Sequence, residues 1–328
     1  MKERIEWIDL AKGMSIILVA YGHMGLAGIP FLGGWLAAFR MPFFFMVSGL
    51  LFNAAKYPSL ISFLQRRWAT LIRPFFIFSA LVLGTYWCLE PETIAERTES
   101  LIVNGWGGYA LWFIPVLIGT EICYYLICHW CRNRKLRVII LIFLAIVGYV
   151  CYRLNAPNHW NICFILTSTL FYGIGNLLSQ YLKNFYTTSQ RKRLLIGTLV
   201  CFVVSLCFYF NQPKPEFGAN LLGGGILTHI CGFAGTFFMC SIAVFLSKIH
   251  KTVPNGIKQG IKYLGKNSYI VLAFHQIVLK LLSSTGMMPN GSIERVLMWI
   301  IIILLIEFIT RYTPQIIGRK PTVKAQLS

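Results

Sequence analysis

Apolar residues run in long blocks along the chain, and short polar stretches separate the blocks. About ten of the blocks approach the length of roughly 20 residues with which an α-helix crosses a lipid bilayer. They lie at 7–26, 33–54, 72–90, 108–130, 136–152, 160–181, 193–211, 221–247, 266–284 and 294–312. The pattern predicts an all-α, polytopic membrane protein, a bundle of about ten transmembrane helices in a single domain that covers residues 1–328.

The composition supports a membrane protein. Hydrophobic residues make up 56% of the chain and charged residues only 12%, about half the charged share of a soluble domain. The first block lacks the short apolar core and the small-residue cleavage site of a signal peptide. It is therefore expected to remain as the first transmembrane helix.

The basic residues are distributed unevenly. The formal net charge is +19, which in a soluble protein would suggest a nucleic-acid partner. Most of the 30 lysines and arginines fall near the N-terminus, in alternate loops and near the C-terminus, and the intervening loops hold only Arg97, Arg153, Lys214 and Arg295. Such a bias marks the cytoplasmic side of a membrane protein. It predicts that both termini are cytoplasmic, and it argues against a nucleic-acid partner.

The first block, WIDLAKGMSIILVAYGHMG at 7–25, contains Asp9, Lys12 and His23. Since an α-helix turns about 100° per residue, Lys12 and His23 project within about 20° of each other and lie about 16 Å apart along the axis. Asp9 lies within about 60° of both, so the three residues share one helix face. Ionisable residues inside a span are costly and usually face the bundle interior. This face is therefore expected to look into the bundle.

Arg40 decides between two interpretations of that face. Asp9 and Lys12 can simply neutralise each other, and a single intramembrane histidine is often a packing residue. Arg40 lies about two turns from the outer end of the second block, close to the depth expected for His23. An arginine and a histidine at one depth in neighbouring helices favour a hydrated polar cavity.

Other polar residues inside the apolar blocks extend this polar interior. Each of them alone fits a buried hydrogen-bonding role, and together they indicate a polar interior. They are Glu121, His229, Asn267, Ser268, His275 and Glu307.

The ten cysteines suggest no disulfide framework. Cys128 and Cys131 form a single CxxC, which is a weak zinc or redox signal without a second pair. Cys151 and Cys163 flank an outer loop and could pair. The other cysteines that lie in apolar blocks are best interpreted as small hydrophobic residues.

Five motifs, in order, resemble those of the membrane acyltransferases called acyltransferase family 3. The first block resembles the family's opening helix, in which ten residues separate a basic residue from a histidine. FRMPFFFMVSGLLF at 39–52 is similar to the second-helix signature, with a Phe-Phe-x-x-Ser-Gly core at 44–49. The later matches are RRWATLIRPFF at 66–76, ALWFIPVLI at 110–118 and LGKNSYIVLAFH at 264–275. Many members carry arginine in place of Lys12, and lysine keeps the charge but lacks the planar, bidentate fork.

The resemblance implies an O-acetyltransferase of surface glycans in the bacterial cytoplasmic (inner) membrane. The implied acyl donor is acetyl-CoA, or another acyl-CoA, which arrives from the cytoplasm as a co-substrate. No permanently bound cofactor and no metal are expected. The implied acceptor is a hydroxyl of a cell-surface glycan or a lipid-linked sugar, and the surrounding partner is membrane lipid.

Within this resemblance, His23 is the expected general base, since an imidazole with a pKa of about 6.5 suits proton abstraction. Arg40 would orient the acceptor or stabilise developing oxyanion charge, and Asp9 would hold Lys12 in place. The expected contacts to the CoA phosphates are Lys12, Arg66, Arg67 and Arg73. The three arginines fit plain positive-inside charge equally well. The expected substrate-binding residues are Ser48, Trp112, Glu121, Asn267, Ser268 and His275.

The aromatic residues near the outer loops have two interpretations. They can stack on sugar rings, or they can belong to the aromatic belt at the membrane surface, which is the favoured interpretation. They are Trp106, Tyr109, Trp112 and Trp160.

Two other functions compete with an acyltransferase. A secondary transporter or flippase of a glycan or lipid-linked intermediate would also place polar residues near the middle of the membrane. An inverted repeat would favour it, and the sequence shows none. A non-catalytic sensor or assembly subunit would tolerate replacement of Lys12, His23 and Arg40.

Overall fold

The computed structural model describes residues 5–24, 31–106, 108–188, 190–217, 221–248, 255–286 and 291–319. Over these ranges the chain is helical, and the only β-type pairing is an isolated bridge between Glu216 and Leu221. The all-α prediction is therefore confirmed. The α-helices are α1 Glu6–His23, α2 Leu32–Leu51, α3 Leu60–Arg67, α4 Arg73–Leu89, α5 Ile94–Asn104, α6 Phe113–Trp130, α7 Arg134–Arg153, α8 Ile162–Leu177, α9 Ser179–Thr188, α10 Arg191–Phe210, α11 Ile226–Lys248, α12 Asn255–Lys266, α13 Ser268–Ser284 and α14 Ser292–Tyr312.

Each of the predicted membrane segments coincides with a helix. Among the described residues, 6 helices are long and apolar enough to cross a membrane, or up to 7 if α8 and α9, bent by 59° at their junction, form one span. The α1 helix carries Glu6, Asp9 and Lys12, and α13 has only 17 residues. The count of about ten spans therefore stays a prediction. The chain ends, 1–4 and 320–328, lie outside the described residues, so their cytoplasmic location also stays a prediction.

Two helices lie between the predicted membrane segments. The α5 helix, Ile94–Asn104, and the α12 helix, Asn255–Lys266, both alternate polar and apolar residues at helical spacing. Such amphipathic helices are missed by a search for continuous apolar runs, because their hydrophobic residues occupy only one face.

The described residues divide into two compact units. The first unit comprises the described residues within 1–54, 120–156 and 163–268, and the second comprises those within 55–119, 157–162 and 269–328. The hydrophobic core of the first unit is built from α1, α2, α10 and α11, and it contains the fully buried side chains of Leu10, Phe39 and Cys240.

Glycines allow the helices of the first unit to approach closely. A Cβ built on Gly13 would collide with the carbonyl of Ile261, and one built on Gly265 would lie 2.6 Å from the carbonyl oxygen of Asp9. The backbones of α1 and α12 therefore touch, as in the small-residue contacts of membrane helices. Gly49 of α2 likewise lies against the carbonyl of Tyr172 in α8.

The end of α2 is capped by side chains from α8 and α9. The Asn176 Nδ2 donates to the carbonyls of Gly49 and Phe52, at 3.1 and 2.7 Å. The Lys183 Nζ donates to the carbonyl of Leu50 at 3.0 Å. Carbonyls at a helix end lack intrahelical partners, so these contacts satisfy polar groups that would otherwise be buried without one.

In the second unit, α3 and α4 form one helix of 30 residues, interrupted by a π-helical stretch at Trp68–Ile72. A short 3₁₀ turn at Pro314–Ile317 follows α14 and packs beside this stretch. Gly318, which follows this turn, has a φ of +68°. A Cβ built on Gly318 would lie only 2.6 Å from the carbonyl oxygen of Ala69. The π-helical stretch is thus held by the chain segment that ends the described fold.

Candidate functional site

The first unit brings Arg40 to the end of α1. A Cβ built on Gly22 would collide with the Nη1 of Arg40, so the guanidinium lies directly over the backbone of the residue before His23. Arg40 is half-buried, whereas His23 is the last residue of α1 and is exposed. The predicted proximity of this arginine and the histidine-bearing turn is seen in the structure.

The predicted common face of α1 is only partly buried. Asp9 and Lys12 are half-buried, but His23 is exposed, which differs from the expectation that it looks into the bundle. His23 is the last residue of α1, and the adjacent Met24 is fully buried, so the two residues lie on differently covered sides of this helix end.

The lysine-bearing half of α1 meets the predicted motif LGKNS at 264–268. The contact is made by backbone, because Gly265 lies against Asp9 and Gly13. At the start of the same helix pair, the Lys262 Nζ and the Glu6 Oε1 form an ion pair at 2.9 Å. Two motifs that are far apart in the sequence thus become neighbours in the first unit.

Asn267 and Ser268 have clear structural positions. Asn267 is buried and closes α12, since its Nδ2 donates to the Tyr263 carbonyl at 3.0 Å. Ser268 is half-buried and is the first residue of α13. Their roles as substrate-binding residues stay predictions.

Glu121 and Ser48 lie in the interior of the first unit. Glu121 is buried, and its Oε1 accepts a hydrogen bond from the Tyr172 hydroxyl at 3.2 Å. Ser48 is half-buried and precedes Gly49, which makes the close contact of α2 with α8. The second-helix motif therefore has a packing role here, and binding of substrate by Ser48 stays a prediction.

Glu216 is a residue near the site that the sequence did not single out. It is an exposed residue in the segment between α10 and α11, and its carboxylate acts electrostatically on Arg40. A glutamate in a polar loop is common, so its sequence context gives no indication of a function. Only the fold brings Glu216 near Arg40 of α2. Tyr172 was missed as well, because a tyrosine inside an apolar block is ordinary. The structure shows its hydroxyl hydrogen-bonded to Glu121.

The three arginines predicted to bind CoA have different surroundings in the second unit. Arg66 is exposed. Arg67 is half-buried, and its guanidinium lies 5.2 Å from the ring centre of Phe63. Arg73 donates from Nη2 to the carbonyl of Gln315 in the C-terminal 3₁₀ turn. Arg73 therefore has a structural contact, while the phosphate-binding roles of all three stay predictions.

His275 and Trp112 also lie in the second unit. His275 is fully buried in α13, where its Nδ1 lies 2.8 Å from the Val271 carbonyl, one turn earlier. That contact requires a proton on Nδ1, because a carbonyl only accepts hydrogen bonds. Trp112 is half-buried and meets Phe113 edge to face, with ring centres 6.3 Å apart. Both substrate-binding assignments stay predictions.

The cysteines of the described residues form no disulfide bond, so Cys151 and Cys163, which could pair by sequence, are not linked. The CxxC segment supplies backbone contacts, since the Arg137 Nε donates to the Cys131 carbonyl at 2.6 Å. Over the described ranges, no group of three or more His, Cys, Asp or Glu side chains is placed to hold a metal ion.

Comparison with known families supports the resemblance seen in the motifs. A family model described as an acyltransferase domain matches residues 5–310, which is almost the whole chain. Curated proteins and solved structures yielded no match. The matched range includes both α1 and α2, and hence the contact between Arg40 and the turn that carries His23. The chain belongs to acyltransferase family 3.

Proposed function

We propose that the protein transfers an acyl group, most simply acetyl, from cytoplasmic acyl-CoA to a hydroxyl of a cell-surface or lipid-linked glycan in the bacterial inner membrane. The family membership supports the acyl transfer. The observation that carries the choice of site is the Arg40 guanidinium over Gly22, directly before the exposed His23.

His23 serves as the general base in this proposal. Its imidazole removes the proton of the acceptor hydroxyl while that oxygen attacks the carbonyl carbon of the thioester. The new carbon–oxygen bond converts the carbonyl into a tetrahedral oxyanion. When this intermediate collapses, the carbon–sulfur bond breaks, CoA leaves as a thiolate, and the imidazolium returns the proton to it.

Arg40 stabilises the oxyanion. A guanidinium that is half-buried and fixed against a helix backbone is preorganised, so it need not move as negative charge develops. The glycine at position 22 is what permits this approach, because any side chain there would occupy the space of the Arg40 Nη1. The negative charge of Glu216 attracts the same guanidinium.

Lys12 contributes to binding of the donor. It lies on α1 one position before Gly13, where α1 and α12 meet through Gly13 and Gly265. A lysine ammonium binds a phosphate as a compact charge rather than through a planar fork. Asp9, three residues earlier on α1, restrains Lys12 in this proposal, while phosphate binding by Arg66 and Arg67, at the end of α3, stays a prediction.

The test compares His23 with a histidine in a similar setting. The proposal expects His23→Ala to lower the rate of acyl transfer by about 10²–10⁴-fold, the usual contribution of a general base. His129, which is exposed in the last turn of α6, provides the matched control, and His129→Ala is expected to keep wild-type activity.

The measurement uses purified full-length protein with radiolabelled acetyl-CoA and a glycan extract, followed by mass spectrometry of the product. Near wild-type transfer by a folded His23→Ala protein would remove the histidine base from the mechanism. Absence of transfer by the wild-type protein from any acyl-CoA would reject the proposed function as a whole.

A further inference from the structure

An arginine occupies the packing face of the amphipathic helix α5. Along this helix, Ile94, Arg97, Ser100 and Leu101 are half-buried while the other residues from 95 to 104 are exposed, so these four residues form the face turned towards the rest of the second unit. The acidic residues Glu96 and Glu99 are exposed. An amphipathic helix normally places hydrophobic residues on its packing face, so a charge at this position requires an explanation.

Aromatic rings hold Arg97 in place. Its guanidinium carbon lies 4.6 Å from the ring centre of Tyr86 and 5.1 Å from that of Trp106. The Tyr86 ring in turn stacks on Tyr109, with centres 5.4 Å apart and planes inclined by 21°. Contacts of this kind stabilise a cation electrostatically without consuming its hydrogen-bond donors.

Arg97 makes no hydrogen bond and no ion pair within the described part of the chain, and its Nε is buried. The nearby carboxylate of Glu90 is paired with Lys280 instead. A buried guanidinium donor without an acceptor is costly, because it has lost its water. The fork of donors thus remains available for an oxyanion, which guanidinium binds in bidentate geometry.

Two further aromatic residues near Arg97, Tyr109 and Trp160, have strained backbone conformations. Tyr109 and Trp160 have φ values of +48° and +56°, a conformation that bulky residues rarely adopt. Gly105 has a φ of +65°, and a Cβ there would collide with the indole of Trp160. The Trp160 ring therefore lies beside the backbone that leads into Trp106, and it is 39% exposed. Strain of this kind concentrates at binding sites.

We infer that Arg97, with Trp106, Tyr109 and Trp160, binds a sugar that carries an oxyanion, such as a uronic acid or a sugar phosphate. The rings contact the apolar C–H face of the sugar, and Arg97 binds its carboxylate or phosphate. This inference rests on the proposed function, because it identifies the acceptor glycan as acidic. An aromatic belt alone would explain the rings, but it gives no reason for an arginine held among them without an acceptor.

The experiment measures binding to the purified full-length protein without any acyl donor, by saturation-transfer NMR titration. Three probes distinguish the contribution of the sugar ring from that of the oxyanion. Methyl glucuronide has both the ring and the oxyanion, methyl glucoside has only the ring, and glycerol 1-phosphate has only the oxyanion. Methyl glucuronide is expected to bind at least about tenfold more tightly than either of the others. Equal binding of the three probes, or no binding of methyl glucuronide, would overturn the inference.

The variants test the arginine itself. Arg97→Gln is expected to remove the preference for methyl glucuronide, and Arg97→Lys to retain part of it. Arg153→Gln is the matched control, since Arg153 also lies over a tyrosine ring, at 6.0 Å, but already donates to the Tyr149 hydroxyl at 3.2 Å. An Arg97→Gln protein that elutes as a folded species and keeps the wild-type preference would overturn the inference. If that variant does not fold, the probes on wild-type protein and on Arg97→Lys decide.

The outcome is separable from that of the proposed function. Binding of methyl glucuronide by a protein that transfers no acyl group would reject the acyltransferase proposal and leave the acidic-sugar site standing. Acyl transfer to a neutral glycan, with no preference among the probes, would support the enzyme and overturn the acidic-sugar site.

Discussion

Two arginines on the outer side of the predicted topology, Arg40 and Arg97, are held in opposite ways. Arg40 lies on a helix backbone at Gly22 and is attracted by Glu216. Arg97 lies over the rings of Tyr86 and Trp106 and makes no ion pair among the described residues. The first arrangement places a charge beside the histidine proposed as the general base. The second preserves a set of donors for a ligand, so the two arginines are suited to different steps.

Replacing each arginine by alanine is expected to change a different kinetic constant, and the change at Arg40 is expected to be the largest of those considered. Arg40→Ala is expected to lower kcat by about 10²–10³-fold, the usual cost of losing one oxyanion contact. Arg97→Ala is expected to act mainly through a higher KM for the acceptor, because its proposed contact is formed in the ground state as well. Steady-state kinetics of both purified variants check this difference. A kcat effect of Arg97→Ala as large as that of Arg40→Ala would contradict the division of roles.

A smaller expected effect concerns the glycine beneath Arg40. Gly22→Ala is expected to slow acyl transfer by up to about 100-fold, because the new methyl group would displace the guanidinium by about an ångström or more. Gly197→Ala in α10 is the matched control, since a Cβ at Gly197 has no neighbour within 4 Å. The control is expected to be active and slightly more stable, as alanine favours helix over glycine. Full activity of Gly22→Ala in the same assay would show that the position of Arg40 is unimportant.

The smallest expected effect belongs to Glu216. Since Glu216 is exposed, its attraction for Arg40 is screened by solvent. Glu216→Gln is expected to lower the transfer rate about two- to threefold at low salt, and the difference should shrink as ionic strength rises. Glu92→Gln, at another exposed glutamate, serves as control. A loss comparable with that of Arg40→Ala would mean that Glu216 takes part in the reaction directly.

The sequence was most informative where a charged residue lies inside an apolar block. Lys12, Arg40 and Glu121 are conspicuous because charges inside apolar blocks are costly, and the approach of Arg40 to the His23 turn agreed with the predicted depths. Arg97 gave no such signal, because an arginine in a polar loop is ordinary. Only the packing face of α5 and the rings around Arg97 make it unusual.

The exposure of His23 shows the limit of arguments from helix periodicity. Its angular position on α1 was derived from 3.6 residues per turn, which says which residues share a face. It does not say where a helix ends or what covers its last turn. The structure places His23 at the final residue of α1, where it is exposed while the adjacent Met24 is buried.

The linear pattern of residues was enough to indicate the class of the protein, since the apolar blocks specify helices, and the ordered motifs indicated the family that the comparison confirmed. Hydrophobic periodicity and short motifs are local properties, so they can be recognised in the chain alone. The tertiary structure alone decided which distant residues meet, such as Gly13 with Gly265 and Arg97 with Tyr86. Such contacts depend on helix ends, glycine-permitted approaches and backbone strain, which only the packing of the whole unit settles.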